Sequence, residues 1–254
     1  MSENPGMLNI VIPMAGLGSR FSTAGYQDPK PFIKIHGIEM IRWVIKNLTP
    51  KVEHRFIFIC QNEHISKYKF DLHLSEWAPG SIVIGLDRVT SGAAETVLKA
   101  REHIDLNEPL LIANSDQWVE ADIDAFLEPI WSKTVDGIIM TMNASDPKWS
   151  FAEIDKDSLV KKVVEKQVIS DIATVGLYGF ASGSDFVNAA ERMIRDDFRV
   201  NNEFYVAPVY NWLINSGAKV SIFPIGTDGY AMHGLGTPED LVAFENHPES
   251  KSVW

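Results

Sequence analysis

The stretch that decides the reading is "VIPMAGLGSRFSTAGYQDPKPFIKIHG", residues 11–37. A buried-strand pattern, "LNIVIPMA" (8–15), stops at Gly16-Leu17-Gly18, with Arg20 just beyond and Pro29-Lys30 ten residues later. A short apolar run closed by glycine reads as a strand delivering a turn at its carboxyl end, where parallel α/β sheets bind ligands. Glycines there let backbone N–H groups come close to an anion in conformations that side chains block. Arg20 supplies a fork of donors and Lys30 a point charge, and both suit phosphate oxygens. The turn therefore predicts a polyphosphate site. It is not a Walker loop, since G-x-x-x-x-G-K-[ST] occurs nowhere in the chain. Nor is it a dinucleotide fingerprint, since Phe21 stands where G-x-G-x-x-G needs its third glycine.

Working outward, "MIRWVIKNL" (40–48) places Ile41, Val44, Ile45 and Leu48 on one helical face. "RFIFIC", "SIVIGL" (81–86) and "PLLIANSD" (109–116) read as further strands, with helices at "EHISKYKFDLHLSEW" and "SGAAETVLKAREHI". Repeated β–α alternation over the first 120 residues predicts a mostly parallel sheet with helices on both faces, an α/β Rossmann-like fold. The remainder is less regular: strands at "GIIMTMNA", "ATVGLYGF" and "KVSIFPI", a hairpin of "SFAEID" with "LVKKVVEK", and helices at 183–195, 203–215 and 237–245. Residues 1–254 read as one domain, with a nucleotide-binding half over about 1–120 and an acceptor-binding half over about 121–254.

Composition narrows the class. Thirty-four acidic residues against 23 basic give a net charge of −11, which argues against a general binder of nucleic acid or anionic membrane. The single cysteine, Cys60, lies in a strand pattern and reads as a buried thiol. No basic, apolar leader and no run long enough to cross a bilayer is present in the sequence, so a soluble cytoplasmic protein is expected. The seven histidines show neither H-x-H nor H-x-x-x-H spacing, which predicts no zinc site.

"IPMAGLGSRF…DPKPFIKIHGIEMIRWVIKNL" resembles the signature of the sugar-phosphate nucleotidyltransferases, the enzymes that make nucleotide-sugars. The likeness continues in order at "SGAAETVLKARE", "LLIANSD", "DPKWSFAEID", "VVEK", "ATVGLYGF", "NEFYVAPVYNWLI" and "GLGTPEDL". It implies a nucleotide-diphospho-sugar transferase fold. It also implies attack by an acceptor phosphate oxygen on the α-phosphorus of a nucleoside triphosphate, with loss of pyrophosphate. On this resemblance Arg20 holds the β- and γ-phosphates, Lys30 reaches the α-phosphate and the attacking phosphate, and Asp116 binds Mg²⁺. Ala15, Gly16, Gly18, Ser19, Gly92 and Ala93 would form the nucleotide pocket. Glu165, Lys166, Thr174, Gly176 and Glu203 would meet the acceptor. A role in surface polysaccharide synthesis and a homo-oligomeric state are further implications.

The sequence also departs from the family pattern. Gly234 in "HGLGTPEDL" stands where an aspartate usually supplies the second metal ligand, leaving Asp228 or His233 as substitutes, or waters to complete the shell. Thr174-Val175-Gly176 replaces the usual Asn-Ala-Gly, and Ser150-Phe151 replaces Tyr-Gly, so an acceptor other than plain glucose 1-phosphate is expected. Five residues before Gly92, where uracil- and thymine-using relatives carry glutamine, stands Asp87. A carboxylate only accepts hydrogen bonds, which suits the exocyclic amine of cytosine, or N1–H and N2 of guanine, and leans toward CTP, with Arg88 or the loop backbone as other readers of the base. The rival readings are a nucleotide-sugar-dependent glycosyltransferase, a non-catalytic nucleotide-binding relative, and a dinucleotide-dependent oxidoreductase.

Overall fold

The computed structural model describes residues 6–253. Leu8–Pro13 (β1) runs into the glycine turn, after which Ser19–Thr23 forms a short helix (α1). A 3-10 turn at Lys30–Phe32 and a small ribbon, Lys34–Ile35 (β2) with Ile38–Glu39 (β3), lead into Met40–Leu48 (α2). His54–Gln61 (β4), Asn62–Tyr68 (α3), Phe70–Trp77 (α4), Ile82–Leu86 (β5), Ala93–Leu98 (α5) and Leu110–Ala113 (β6) complete the first half. Gln117–Val119 (β7) is followed by Ile123–Trp131 (α6) and Gly137–Asn143 (β8). Ser150–Ile154 (β9) and Val160–Glu165 (β10) form the predicted hairpin, and Ile172–Phe180 (β11) returns to the sheet. The chain ends with Gly183–Arg195 (α7), Val209–Asn215 (α8), Val220–Thr227 (β12), Met232–Gly234 (β13), Pro238–Asn246 (α9) and Glu249–Ser252 (α10).

The central sheet of nine strands runs β5-β4-β1-β6-β11, and beyond β11 it forks into β8-β12 and β9-β10. β5, β4, β1 and β6 are parallel, whereas β11 is antiparallel to β6 and carries the second half onto the first. The chain proceeds outward from β1 through β4 to β5, then crosses back to lay β6 on the other side of β1. The order therefore reverses between β1 and β6. In such sheets the crevice outside the carboxyl ends of the two flanking strands takes the ligand. Ala15–Ser19 leaves β1 at that place, and Asn114–Asp116 leaves β6 beside it.

Alternation along β1 sorts its side chains to the two faces. Leu8, Ile10 and Ile12 pack with Ile41, Val44 and Leu48 of α2 and Phe126 of α6. Val11 joins Ile57 and Ile59 under α5, α7 and α8, where Phe186, Met193 and Tyr210 fill the layer. Each such side chain contributes about 1.5–3 kcal/mol on burial. A smaller third cluster joins Phe21, Trp43, Trp118, Leu235, Leu241 and Phe244. It fastens α1, and with it the glycine turn, to β7, β13 and α9.

Three helices differ from the sequence reading. Residues 62–77 form two helices, because Lys69 takes a left-handed conformation (φ 56°). The helix after Gly92 stops at Leu98, short of the run to residue 104. The third begins at Val209 after Pro208, not at 203. Asn201 and Asn202 are left-handed (φ 49° and 64°), and the Phe204 N–H donates to Ser91 O at 2.7 Å. That tertiary bond and its partner, Ala94 N–H to Phe204 O at 3.0 Å, hold the segment as a loop against α5.

Candidate active site

Two clefts open at the reversal point and share Ala93. The first, of about 380 Å³, is lined by Ala15, Gly16, Gly18, Ser19, Gly92 and Glu203 among others. The second, of about 260 Å³, is lined by Glu165, Lys166, Thr174 and Gly176 together with Asn114, Trp149, Ser150 and Tyr205. Six of the seven residues expected to hold a nucleotide thus line one recess, and four of the five expected at the acceptor line its neighbour.

The glycines differ in what they make possible. Gly18 is left-handed (φ 61°), and a Cβ on it would stand 3.3 Å from the Lys30 Cβ, so its bareness lets the lysine segment close against the turn. Gly92 (φ 126°) has the backbone N and O of Phe204 each 2.5 Å from where a Cβ would be. Gly176 (φ 83°) lies at the irregularity of β11, with Asn114 Nδ2 2.2 Å from its Cβ position. Gly16 has open space around it. Gly92→Ala should therefore cost about 1–3 kcal/mol from backbone strain alone, with the Phe204 contact adding to it. Gly16→Ala should melt within about 2 °C of the parent, a difference of at most ~0.5 kcal/mol at this size. Thermal melts of the two variants, read by circular dichroism, check the contrast. Equal losses would show that the backbone at residue 92 relaxes out of its strained conformation and that Phe204 yields with it.

Lys30 and Asp116, 86 residues apart, form an ion pair: Lys30 Nζ donates to Asp116 Oδ2 at 2.7 Å. Their side chains are 24% and 26% exposed; neither lines the two clefts, but Lys30 lies against Gly18 of the first and Asp116 follows two residues after Asn114 of the second. Pro29 and buried Pro31 flank the lysine in its 3-10 turn and set its direction. Asp116 follows β6, its carbonyl accepts from Leu235 N–H at 2.8 Å, and Oδ2 lies 2.7 Å from the Cβ position of Gly236. Arg20 is exposed and opens onto a shallower recess with Thr23, Thr237 and Glu239, which Ser19 joins to the first cleft.

Glu165 and Lys166 are consecutive, yet both line the second cleft. A left-handed Lys166 (φ 56°) breaks the alternation that would have put them on opposite faces. Glu165 is buried and accepts from the Ser150 hydroxyl, and burial pushes its carboxyl above the usual carboxylate range. Lys166 Nζ donates to Tyr205 Oη at 2.7 Å, and that bond raises the pKa of the ammonium group. The cross-strand charge pair of this hairpin is instead Lys161 with Glu153. Thr174 Oγ1 shares a hydrogen bond with Tyr178 Oη at 3.0 Å.

Four expected placements are corrected. Glu203 faces the first cleft rather than the acceptor, because the Phe204 bonds turn its loop toward α5. Asp87 lies in a side recess with Arg88, Glu95 and Lys99, where its carboxylate accepts from Asn62 Nδ2 at 2.6 Å. Asp228 pairs with Lys148 at 3.6 Å, and His233 Nε2 meets Glu120 Oε1 at 2.8 Å, so each is already held by another side chain. The carboxylate facing the gap at Gly234 is that of Asp240, 3.4 Å from the Cβ position. Asn114, Lys148, Trp149 and Tyr205 belong to the second cleft, and no sequence pattern singles them out as site residues. Only the run "NEFY" offers a signal for Tyr205, by placing it two residues from Glu203. Cys60 is buried among aliphatic side chains, its thiol pushed up to about 12, and takes no part. No helix among the described residues is long and apolar enough to cross a membrane.

Known proteins share this fold. A nucleoside-diphosphate-sugar pyrophosphorylase from Vibrio cholerae RC9 superposes with a TM-score of 0.78 at 27% identity, over 94% of this chain and all of that one. An inositol-1-phosphate CTP transferase from T. maritima shares the fold at a TM-score of 0.74 and 16% identity, over 99% and 98% of the two chains. A curated relative, the bifunctional protein GlmU of Methanococcus maripaludis, is 22% identical over 97% of this chain, which spans 56% of that protein's length. The family model described as nucleotidyl transferase matches residues 10–205, from β1 through the Lys166–Tyr205 contact. The chain belongs to that family, the sugar-phosphate nucleotidyltransferases, and has its α/β Rossmann-like fold.

Proposed function

We propose that this protein joins a nucleoside triphosphate to a phosphorylated sugar or similar small phosphate and releases pyrophosphate; with Asp87 turned into a side recess, the lean to CTP is carried by the likeness to the inositol-1-phosphate CTP transferase. The observation that carries the reading is the meeting of the two clefts at Ala93, with Lys30 and Asp116 paired beside them. Two polyanions must be brought to one place, so the protein's task is alignment and charge cancellation rather than covalent chemistry. The turn at Ala15–Ser19 receives the triphosphate through backbone N–H groups, and Arg20 reaches its outer end. Lys30 exchanges Asp116 for the phosphate oxygens on which charge builds. Lys166 holds the acceptor phosphate, and Glu165 accepts from acceptor hydroxyls. An acceptor oxygen then bonds to the α-phosphorus as the bond to pyrophosphate breaks.

The donor set suits Mg²⁺, a hard cation that takes one or two carboxylates and fills its shell with phosphate oxygens and water. Asp116 would hold it, and Asp240, whose carboxylate lies 3.4 Å from the Cβ position of Gly234, would be the candidate second ligand. Bound there, the ion would neutralise charge on the triphosphate.

CTP, UTP, dTTP, GTP and ATP, each with Mg²⁺, distinguish the readings in a thermal melt. A nucleotide at 100 times its Kd stabilises by about 2.7 kcal/mol, roughly 5–10 °C at this size. CTP should stand clear of the others, and Arg20→Ala should shrink its shift. A larger shift with another base would overturn the CTP assignment alone. No shift with any of them would overturn the reading as a whole and turn attention to nucleotide-sugars.

A further inference from the structure

Neither cleft uses the cluster of Glu120, His233 and His247. Glu120 directly follows β7, His233 sits in β13 opposite Trp118, and His247 ends α9. Their ligand atoms all lie within 4.8 Å of one another, and the two imidazole rings are 4.3 Å apart between centroids. His233 is buried (7% exposed) against Phe244, while Glu120 and His247 are about one-third exposed, so the cluster is walled on one side and open on the other.

Hydrogen bonding explains only part of it. His233 Nε2 and Glu120 Oε1, 2.8 Å apart, make an ordinary contact. His247 Nδ1 accepts from the Glu249 N–H only at 3.4 Å, a long bond that an ion at this nitrogen would displace, and it lies 3.9 Å from the same Glu120 oxygen. A four-coordinate ion with bonds of about 2.0–2.1 Å spaces its ligand atoms about 3.3 Å apart. The Glu120 separations of 2.8 and 3.9 Å lie on either side of that value and all three ligand atoms lie within 4.8 Å of one another, so side-chain adjustments on the order of 1 Å would seat the ion.

We propose that Glu120, His233 and His247 bind a divalent transition-metal ion of the zinc class, with water in the fourth position. Two imidazoles and one carboxylate select zinc-like ions over Mg²⁺, which prefers oxygen throughout. The ligands come from three separate segments, which is why the spacing of histidines along the chain predicted no such site. The ion would clasp the end of α9 to the β7–β13 ribbon. The same ribbon positions Asp116 through Leu235, so the site is a structural fastening behind the crevice.

The test is titration of chelator-stripped protein with Zn²⁺ and Co²⁺. One equivalent should bind, Co²⁺ should develop the visible absorption of a tetrahedral nitrogen–oxygen site, and saturating Zn²⁺ should raise Tm by roughly 5–10 °C. His247→Ala, at an exposed helix end, should abolish all three, and Glu120→Gln should weaken binding at least about tenfold. Asp116→Asn should leave them intact, separating this site from any ion in the crevice. Failure of the parent protein to bind either metal, or binding lost in Asp116→Asn and kept in His247→Ala, would overturn the proposal.

Discussion

Lys30→Met should lower kcat/KM for pyrophosphate release by about 10²–10³, the usual cost of deleting one preorganised donor at a site of developing charge. Folding should scarcely register the change. The Lys30–Asp116 pair is about one-quarter exposed on each side, and such pairs contribute about 0–1 kcal/mol. At ~2–4 °C per kcal/mol the melt should fall by no more than about 4 °C. Lys30→Arg should rescue only in part. The guanidinium keeps the charge, but its bulk and fork geometry differ from an ammonium placed within a pair 2.7 Å long. If Lys30→Met retained activity within threefold of the parent, the lysine would be a partner of Asp116 and nothing more.

The first half of the fold was legible because two periods coincide with their structures there. β1 is buried on both faces and reads as a continuous apolar run, and α2 repeats its apolar residues at helical spacing. Legibility failed where a residue without glycine's freedom took a left-handed conformation. Lys69, Lys166, Asn201 and Asn202 all do so, and each redirects the chain beyond it. At 69 a helix divides, at 166 two consecutive charges turn to one cleft, and at 201–202 an expected helix start becomes a loop. In the last case the deciding contact is Phe204 on Ser91 and Ala94, more than 100 residues away in sequence, which no local pattern carries.

The candidate site divides along the same line. The glycine turn, Lys30 and Asp116 were legible because a turn, a stiffened loop and a strand end each leave a local mark. The role of Gly92 was only half legible: its position was marked, but its cause is the Phe204 backbone pressed against it. The carboxylate nearest Gly234 had to come from elsewhere in the fold. Asp240 in the first turn of α9 reads in sequence as ordinary helix-start chemistry, capped by Thr237 Oγ1. Its second aspect, facing the gap, appears only when α9 folds back beside β13.

Asp116→Asn supplies the sharpest test of whether the crevice works as a unit. The substitution keeps size and most packing but removes the charge that Lys30 meets and that a hard cation needs. A loss of about 10²–10³ in kcat/KM is expected, together with a weaker dependence on Mg²⁺ concentration. The informative measurement is the double variant. If Lys30 and Asp116 served independent substrates, their losses would multiply to about 10⁴–10⁶. Residues acting on one developing charge are strongly non-additive, because removing either already disables the arrangement. Lys30→Met with Asp116→Asn should therefore fall little further than the worse single variant, within about tenfold. Full multiplication would mean that the ion pair is an incidental contact between two separate tasks. Gain of activity by the double variant over Lys30→Met would mean that the unpaired Asp116 carboxylate, left facing an incoming phosphate, was itself the obstacle.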